Sequence, residues 1–413
     1  MKRRTIQVFE HEKLGTTLNS REECLDQNEL DKIQQFNDVH GNKYFTGIRN
    51  GIKFTSYVGV IQVGNLTLEI LPKADKSSDA DRHKWKNVLV DMLKVCNKIN
   101  VESISESHLN KRNQSILELY FEIFLNEVEG IVRRGLVKKY RYQKGNTTAL
   151  KGRLLFPEHI RKNLIHQERF YTESQIFDQE MILNQILLLA LHVLKRINHC
   201  VYLIDRIERL TMAFPEMSTR KFTSSDFERI RLNRKTEPYK EALKIAQLII
   251  LQYSPDLNHG RNDLIALLFD MNKLWEEYVF KMLLRQGGDQ WTVKGQAHQA
   301  FWETKVIKPD IVLTHIATKK QIILDTKWKI VLDGKPSDED LKQMFAYNIY
   351  WNSARSILLY PKASNTKDAY GIYHKGQTVE HGCKLMFVDV LDDEGKLNRE
   401  IGVEVLEGVD YLE

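Results

Sequence analysis

Apolar and polar positions change period along this chain, and the change marks out three stretches. To about residue 75 the pattern is mainly period two, the mark of strands. Lys53-Phe54-Thr55-Ser56-Tyr57 alternates, and Val58 to Val63 runs on largely apolar. Gly64-Asn65 offers a turn, and Leu66 to Leu71 alternates again before Pro72. From Lys84 the spacing becomes helical. Helices are expected over Lys84–Ile99, Asn113–Arg134, Asp178–Leu194, Tyr202–Met212 and Pro238–Tyr253, each carrying an apolar face at i, i+3, i+4. Between them lies a basic segment with strand-like ends and a Gly145-Asn146 turn. Arg261 to Arg285 reads as one or two helices, stopped by Gly287-Gly288. Strands around Trp291-Thr292-Val293, at Ile311-Val312-Leu313 and at Gln321–Leu324 follow. Then come a helix over Asp338–Trp351, strands at Ser356–Tyr360 and Lys384–Val390, and a last strand from Gly402 to Val405. These periods predict a β-rich region 1–110, a helical and basic region 111–258 and a third domain 259–413, with Asn258-His259-Gly260 as hinge.

Composition narrows the class. The 413 residues suit two or three domains, and 42% hydrophobic residues support real cores. No apolar run approaches the ~20 residues of a membrane span, and the basic start has no signal-peptide core, so a cytoplasmic protein without a membrane partner is expected. Cys24, Cys96, Cys200 and Cys383 are scattered without metal-like spacing and read as packing residues.

The net charge of +6 is mild, and its distribution is more informative. Between Ile131 and Arg153 stand Arg133, Arg134, Lys138, Lys139, Arg141, Lys144, Lys151 and Arg153, with Tyr140 and Tyr142 among them and no acidic residue. Such a field suits phosphate contacts, and the rings suit stacking on bases. The plainer alternative is a solvated basic face.

The sharpest chemistry lies at Pro309-Asp310 and Leu324-Asp325-Thr326-Lys327. Two aliphatic strands joined by the polar segment Thr314–Lys320 form a hairpin that displays both carboxylates. Lys327, two residues after Asp325, shares its strand face because side chains alternate. Two carboxylates can hold a hard divalent cation, and an ammonium beside it suits a phosphodiester and an attacking water. A surface ion pair is the plainer reading of Asp325 and Lys327. On the following helix Gln343 and Tyr347 stand one turn apart on one face.

Pro309-Asp310 with Asp325-Thr326-Lys327 resembles the PD-(D/E)XK nuclease superfamily. The order of a helix (Asp270 to Val279), a hairpin and a Gln/Tyr helix matches it too. Further strings narrow the resemblance to the McrC family, the nuclease subunit of McrBC-type modified-cytosine restriction systems. They are Ile6–Glu12, Val58–Ile61 with Leu68–Lys73, and Leu150–Leu154 with His159-Ile160-Arg161, and the likeness runs to roughly Pro361.

The resemblance implies an α+β / α/β multidomain protein: an N-terminal β-rich partner-docking region, a helical middle, and a C-terminal restriction-endonuclease-like domain with a mixed sheet flanked by helices. It implies Mg²⁺, with Mn²⁺ as substitute, on Asp310, Asp325 and the Thr326 carbonyl. Lys327 would act on the water or the phosphoryl group, and Gln343 and Tyr347 would support it. Glu276 would be the helix glutamate, with Glu277 as rival. The implied partners are a McrB-type AAA+ GTPase hexamer, double-stranded DNA with modified cytosine, and a second nuclease chain for double-strand cleavage. The docking segment would lie within Tyr44 to Lys73. No G-x-x-x-x-G-K-[ST] loop occurs, so no nucleotide is expected on this chain. The alternative is a catalytically inactive adaptor that binds DNA and organises the motor.

Overall fold

The computed structural model describes residues 4–19, 23–73, 82–98, 115–218, 220–254, 263–288, 290–331, 335–363, 366–374 and 380–410. The boundary placed near residue 110 and the hinge Asn258-His259-Gly260 lie outside the described residues. Two compact units emerge, Met1–Val101 with Ala266–Glu413, and Glu102–Ile265. The first and last stretches read from the sequence thus fall largely in one unit. Sheet pairing explains this. Strand Arg4–Phe9 runs parallel to Leu66–Leu71, which is antiparallel to Tyr57–Val63 through the Gly64-Asn65 turn. Strand Leu264–Asp270 lies next to Tyr57–Val63. That approach needs glycine at position 59: its φ is +136°, and a Cβ there would come within 2.0 Å of the Leu267 carbonyl oxygen.

The same unit holds a six-stranded mixed sheet in the order Trp291–Gly295, Ile311–His315, Gln321–Thr326, Arg355–Pro361, Gly382–Val388, Ala369–Ile372. Each of the first three strands is antiparallel to its neighbour; Gln321–Thr326, Arg355–Pro361 and Gly382–Val388 run parallel. Helix Asp338–Tyr350 makes the crossover between the first parallel pair, as such a connection requires. Its Met344 and Tyr347 bury against Val312, Ile323, Leu358 and Tyr360. Helix Met271–Gln286 packs against strands Trp291–Gly295 and Gln321–Thr326 and against helix Ile401–Asp410.

The second unit is a helical bundle of Ile116–Arg134, Ile182–Ile197, Val201–Met212 and Lys240–Leu251, with a small antiparallel sheet. Ser115 caps the first helix in a capping box with Glu118. Tyr239 and Asn184 form a buried network that also satisfies the Val137 backbone, so polar groups are enclosed without loss.

Four sequence expectations change. Leu264–Asp270 is a strand, not part of a helix; a short continuous apolar run suits either element, and Asp270, accepting from the Asn272 N–H, caps the helix that follows. Gly402–Val405 lies in helix Ile401–Asp410, because Ile401, Val405 and Val409 recur every four residues and are all fully buried. Gly145-Asn146 makes no turn: Lys139–Thr147 is one continuous strand, and the register with Phe170–Asp178 carries through both residues. That pairing also sets the helix start at Ile182 rather than Asp178. All four cysteines are free, with Cys96 and Cys383 buried.

Candidate active site

Strand alternation puts Val312 and Ile323 on the sheet face that helix Asp338–Tyr350 covers. Asp310 and Asp325 lie two residues from them, hence on the same face, with Lys327 two residues further. Lys327 Nζ stands 2.7 Å from Asp325 Oδ2 and donates to Gln343 Oε1 at 3.1 Å. Gln343 Nε2 donates to the Tyr347 hydroxyl at 2.7 Å, and that hydroxyl donates to the Lys308 carbonyl at 2.8 Å. Asp310 Oδ2 accepts from the Thr326 N–H at 2.8 Å and from its hydroxyl at 2.9 Å. Asp310, Asp325, Lys327, Gln343 and Tyr347 are therefore one constellation, spanning the hairpin and the helix.

Asp325 is only 2% exposed, so the Asp325–Lys327 pair is a buried one rather than the surface pair of the plainer reading. Burial, then the charge of Asp310, pushes the Asp325 carboxyl up to about 7 against the pull of Lys327. Burial also raises Asp310, against the Thr326 hydrogen bonds and the charges of Lys327 and Lys308. Burial alone would lower Lys327, yet the charges of Asp325, Asp340 and Asp310 hold it above its ordinary value.

Glu276 and Glu277 part company on their helix, as a 100° step requires. Glu276 accepts from Gln296 Nε2 at 2.9 Å, and burial and the charge of Asp310 raise its carboxyl. Glu277 pairs with Lys98 at 2.8 Å and Lys281 at 3.6 Å. Asp310, Glu276, Lys308, Gln296 and Lys273 help line a cavity of about 890 Å³. Two carboxylates that repel each other in a buried place form an oxygen donor set of the kind a hard cation takes. Among the described residues no three His, Cys, Asp or Glu side chains form a ready cluster. The remaining ligands would be backbone, water or substrate oxygens, as Mg²⁺ usually keeps.

Sequence reading passed over Asp340, Trp328 and Glu10, and took Lys308 only as part of a positive rim. Asp340 pairs with Lys329 and lies 3.7 Å from Lys327; its position one turn before Gln343 was the available signal. Lys308 donates to Gln296 Oε1 at 2.8 Å. Trp328, next to Lys327, packs 5.3 Å from Trp275, next to Glu276. Its indole donates to the buried Glu10 at 2.6 Å, a contact 318 residues away in sequence that no local pattern announces. Burial raises Glu10 to about 7, although Trp328 and the Lys73 N–H hydrogen-bond to it.

The basic segment behaves differently. Arg141 lies on Asp178 and Glu180 and Lys144 on Glu173, so these counterions come from the paired strand and the residues just after it, while Arg133 pairs with Glu129 one turn back on its own helix. Tyr140 and Tyr142 stay 62% and 70% exposed.

The model of the family described as McrBC 5-methylcytosine restriction system component matches residues 52–361. The chain belongs to that McrBC family. No curated protein matches it. A chain of the refined half-complex from a tetradecameric assembly of Thermococcus gammatolerans McrB AAA+ hexamers with bound McrC superposes with TM-score 0.69 at 20% identity, covering 98% of this chain and all of that one. A chain of the cryo-EM structure of the Thermococcus gammatolerans McrBC complex gives TM-score 0.51 at 23% identity, over 68% of this chain and 88% of that one. At these identities the likeness to the McrBC structures is one of fold. Among the described residues of this McrBC-family chain, no helix is long and apolar enough to cross a membrane.

Proposed function

We propose that this chain is the McrC-type subunit of a modification-dependent restriction system, a DNA endonuclease of PD-(D/E)XK type that hydrolyses phosphodiesters. The observation that carries the reading is the buried Lys327–Asp325 pair beside Asp310, held by Gln343. An ammonium has three donors, and two of Lys327's face Asp325 and Gln343. Asp340, at 3.7 Å, is beyond hydrogen-bond distance, so the third donor would turn to a phosphoryl oxygen or a water. Held this way, Lys327 stabilises the negative charge that grows as water attacks phosphorus and the bond to the leaving oxygen breaks. Gln343 and Tyr347 fix its direction, and Thr326 fixes Asp310. Asp310, Asp325 and the Thr326 carbonyl would hold Mg²⁺ or Mn²⁺, with Glu276 acting through water. When bound, the ion supplies positive charge against the phosphodiester and lowers the pKa of water.

The partner in this reading is a McrB-type AAA+ GTPase hexamer, and the substrate is double-stranded DNA with modified cytosine. Two copies of the chain would cut the two strands. Within Tyr44–Lys73 the strands are largely buried, so docking through that segment would fall to exposed Thr46–Asn50, Lys53 and Asn65. Of the basic segment, Arg134, Lys138, Lys139, Lys151 and Arg153 would reach DNA, with Arg133, Arg141 and Lys144 shared with their carboxylates.

The test uses purified chain, motor, GTP, Mg²⁺ and methylated duplex. Asp325→Asn is expected to lose cleavage at least 100-fold while still stimulating the motor's GTPase. Undiminished cutting by that variant would overturn the assignment of the site to Asp325, and absence of cutting by the wild-type chain with its motor would leave the inactive adaptor.

A further inference from the structure

We propose that the hairpin of Gln299–Trp302 and Lys305–Ile307 is a DNA-engaging arm that lays Trp302 against the bases of the duplex held at Asp310 and Lys327. The proposal rests on the nuclease reading above. Strand Trp291–Gly295 pairs with Ile311–His315, with Gly295 opposite Ile311. Between these two residues the chain leaves the sheet and folds on itself. Gln299 pairs with Ile307, Ala300 with Val306, and Trp302 with Lys305, with a register shift between Ala300 and Trp302.

This excursion exposes what a hairpin ordinarily hides. Phe301, Trp302 and Val306 are 51%, 63% and 58% exposed, within an unbroken exposed run from Ala300 to Val306. Phe301 lies 5.5 Å from the Tyr350 ring. A two-stranded hairpin is marginal alone, and clustered exposed apolar side chains mark a binding surface.

The base of the arm is fastened to the site. The Gln296 N–H donates to the Asp310 carbonyl at 2.8 Å, and its side chain joins Glu276 to Lys308. Tyr347 donates to the Lys308 carbonyl. Both ends of the arm are thus anchored to residues assigned to the phosphodiester, so DNA at the site passes within the arm's reach. A four-residue strand extends about 13 Å, roughly four base steps.

Charge points to the same occupant. From Lys294 to Lys308 there are three lysines (Lys294, Lys305, Lys308) against one carboxylate (Glu303), and all three lysines are exposed. Cations beside exposed Trp and Phe suit a polyanion with stackable bases.

Affinity of the full chain for a labelled methylcytosine duplex is measured in EDTA, with 2-aminopurine placed near the cut to read base stacking. Trp302→Ala is expected to weaken binding about 10-fold and abolish the 2-aminopurine change. Trp302→Phe is expected to restore much of both. Unchanged affinity and fluorescence in Trp302→Ala would overturn the proposal, as would unchanged DNA binding with loss of motor binding, which makes the arm a protein contact. Cleavage by Lys327→Ala separates the two ideas. If it still cuts while Trp302→Ala loses DNA, the site assignment fails and the arm stands; if it is inactive while Trp302→Ala behaves as wild type, the reverse holds.

Discussion

Lys327 with Asp325, and Arg141 with Asp178, are ion pairs of nearly equal length, 2.7 and 2.8 Å, yet they do opposite things to the carboxylate. Hydrogen bonds from Arg141 hold Asp178 below its ordinary range, since water screens its surroundings, even though Glu180 lies on the same guanidinium. Asp325 sits 2% exposed with Asp310 beside it, and it is raised to about 7 in spite of Lys327. The first pair joins two strands on a surface. The second is a strained charge arrangement that a cation would relieve, and such arrangements cluster at functional sites. The distance between the opposite charges distinguishes neither; burial does.

The largest contrast is in catalysis. Lys327→Ala is expected to cost on the order of 10²–10³ in cleavage rate, whereas Arg141→Ala leaves the rate per bound duplex unchanged. Lys327→Arg is not expected to rescue, because a planar fork cannot replace a compact ammonium between Asp325 and Gln343. Single-turnover cleavage reads all three.

Packing around the buried pair gives the next effect. Trp275 is fully buried against Trp328, and Trp275→Ala should cost about 3–5 kcal/mol in denaturant unfolding of the first unit. Equal stability would mean that the aromatic pair does not support the site.

Glu10 sharpens the comparison through pH. Its folded pKa, about 7, exceeds its ordinary 4.5, so the folded state binds the proton more tightly. Stability contributed by the protonated form is full below about pH 4.5 and declines as pH rises towards 7. At one pKa unit per 1.36 kcal/mol the loss is about 3 kcal/mol. The stability difference between wild type and Glu10→Gln should therefore grow in favour of the variant between pH 4.5 and 7. A pH-independent difference would mean that Glu10 is not buried as described.

The smallest effect belongs to the exposed pair. Arg141→Gln should change stability by less than about 1 kcal/mol, and 1 M salt should erase even that while leaving the buried pair's contribution largely intact.

Local patterns revealed much of the site. Alternation put Asp325 and Lys327 on one face, and a four-residue spacing aligned Gln343 with Tyr347; hydrogen bonds join Lys327, Gln343 and Tyr347 in a chain. Glu276 and Glu277 remained equivalent until the helix was placed beside Gln296 and Lys98. The Leu264–Asp270 strand was illegible because an uninterrupted apolar run has no period to read. The basic segment looked free of counterions because Glu173, Asp178 and Glu180 lie on the strand that folds against it and on the turn after it.

What the sequence determined by itself is local: the periods of most elements, the Gly64-Asn65 hairpin, and the carboxylates and ammonium that share a strand face. Tertiary structure decided which charges are buried, which are neutralised and which distant residues meet, such as Glu10 with Trp328. The physical reason is range. Backbone alternation acts over a few residues and is written in the chain, whereas desolvation and Coulomb interaction depend on everything that folds within a few ångströms, whatever its distance along the sequence.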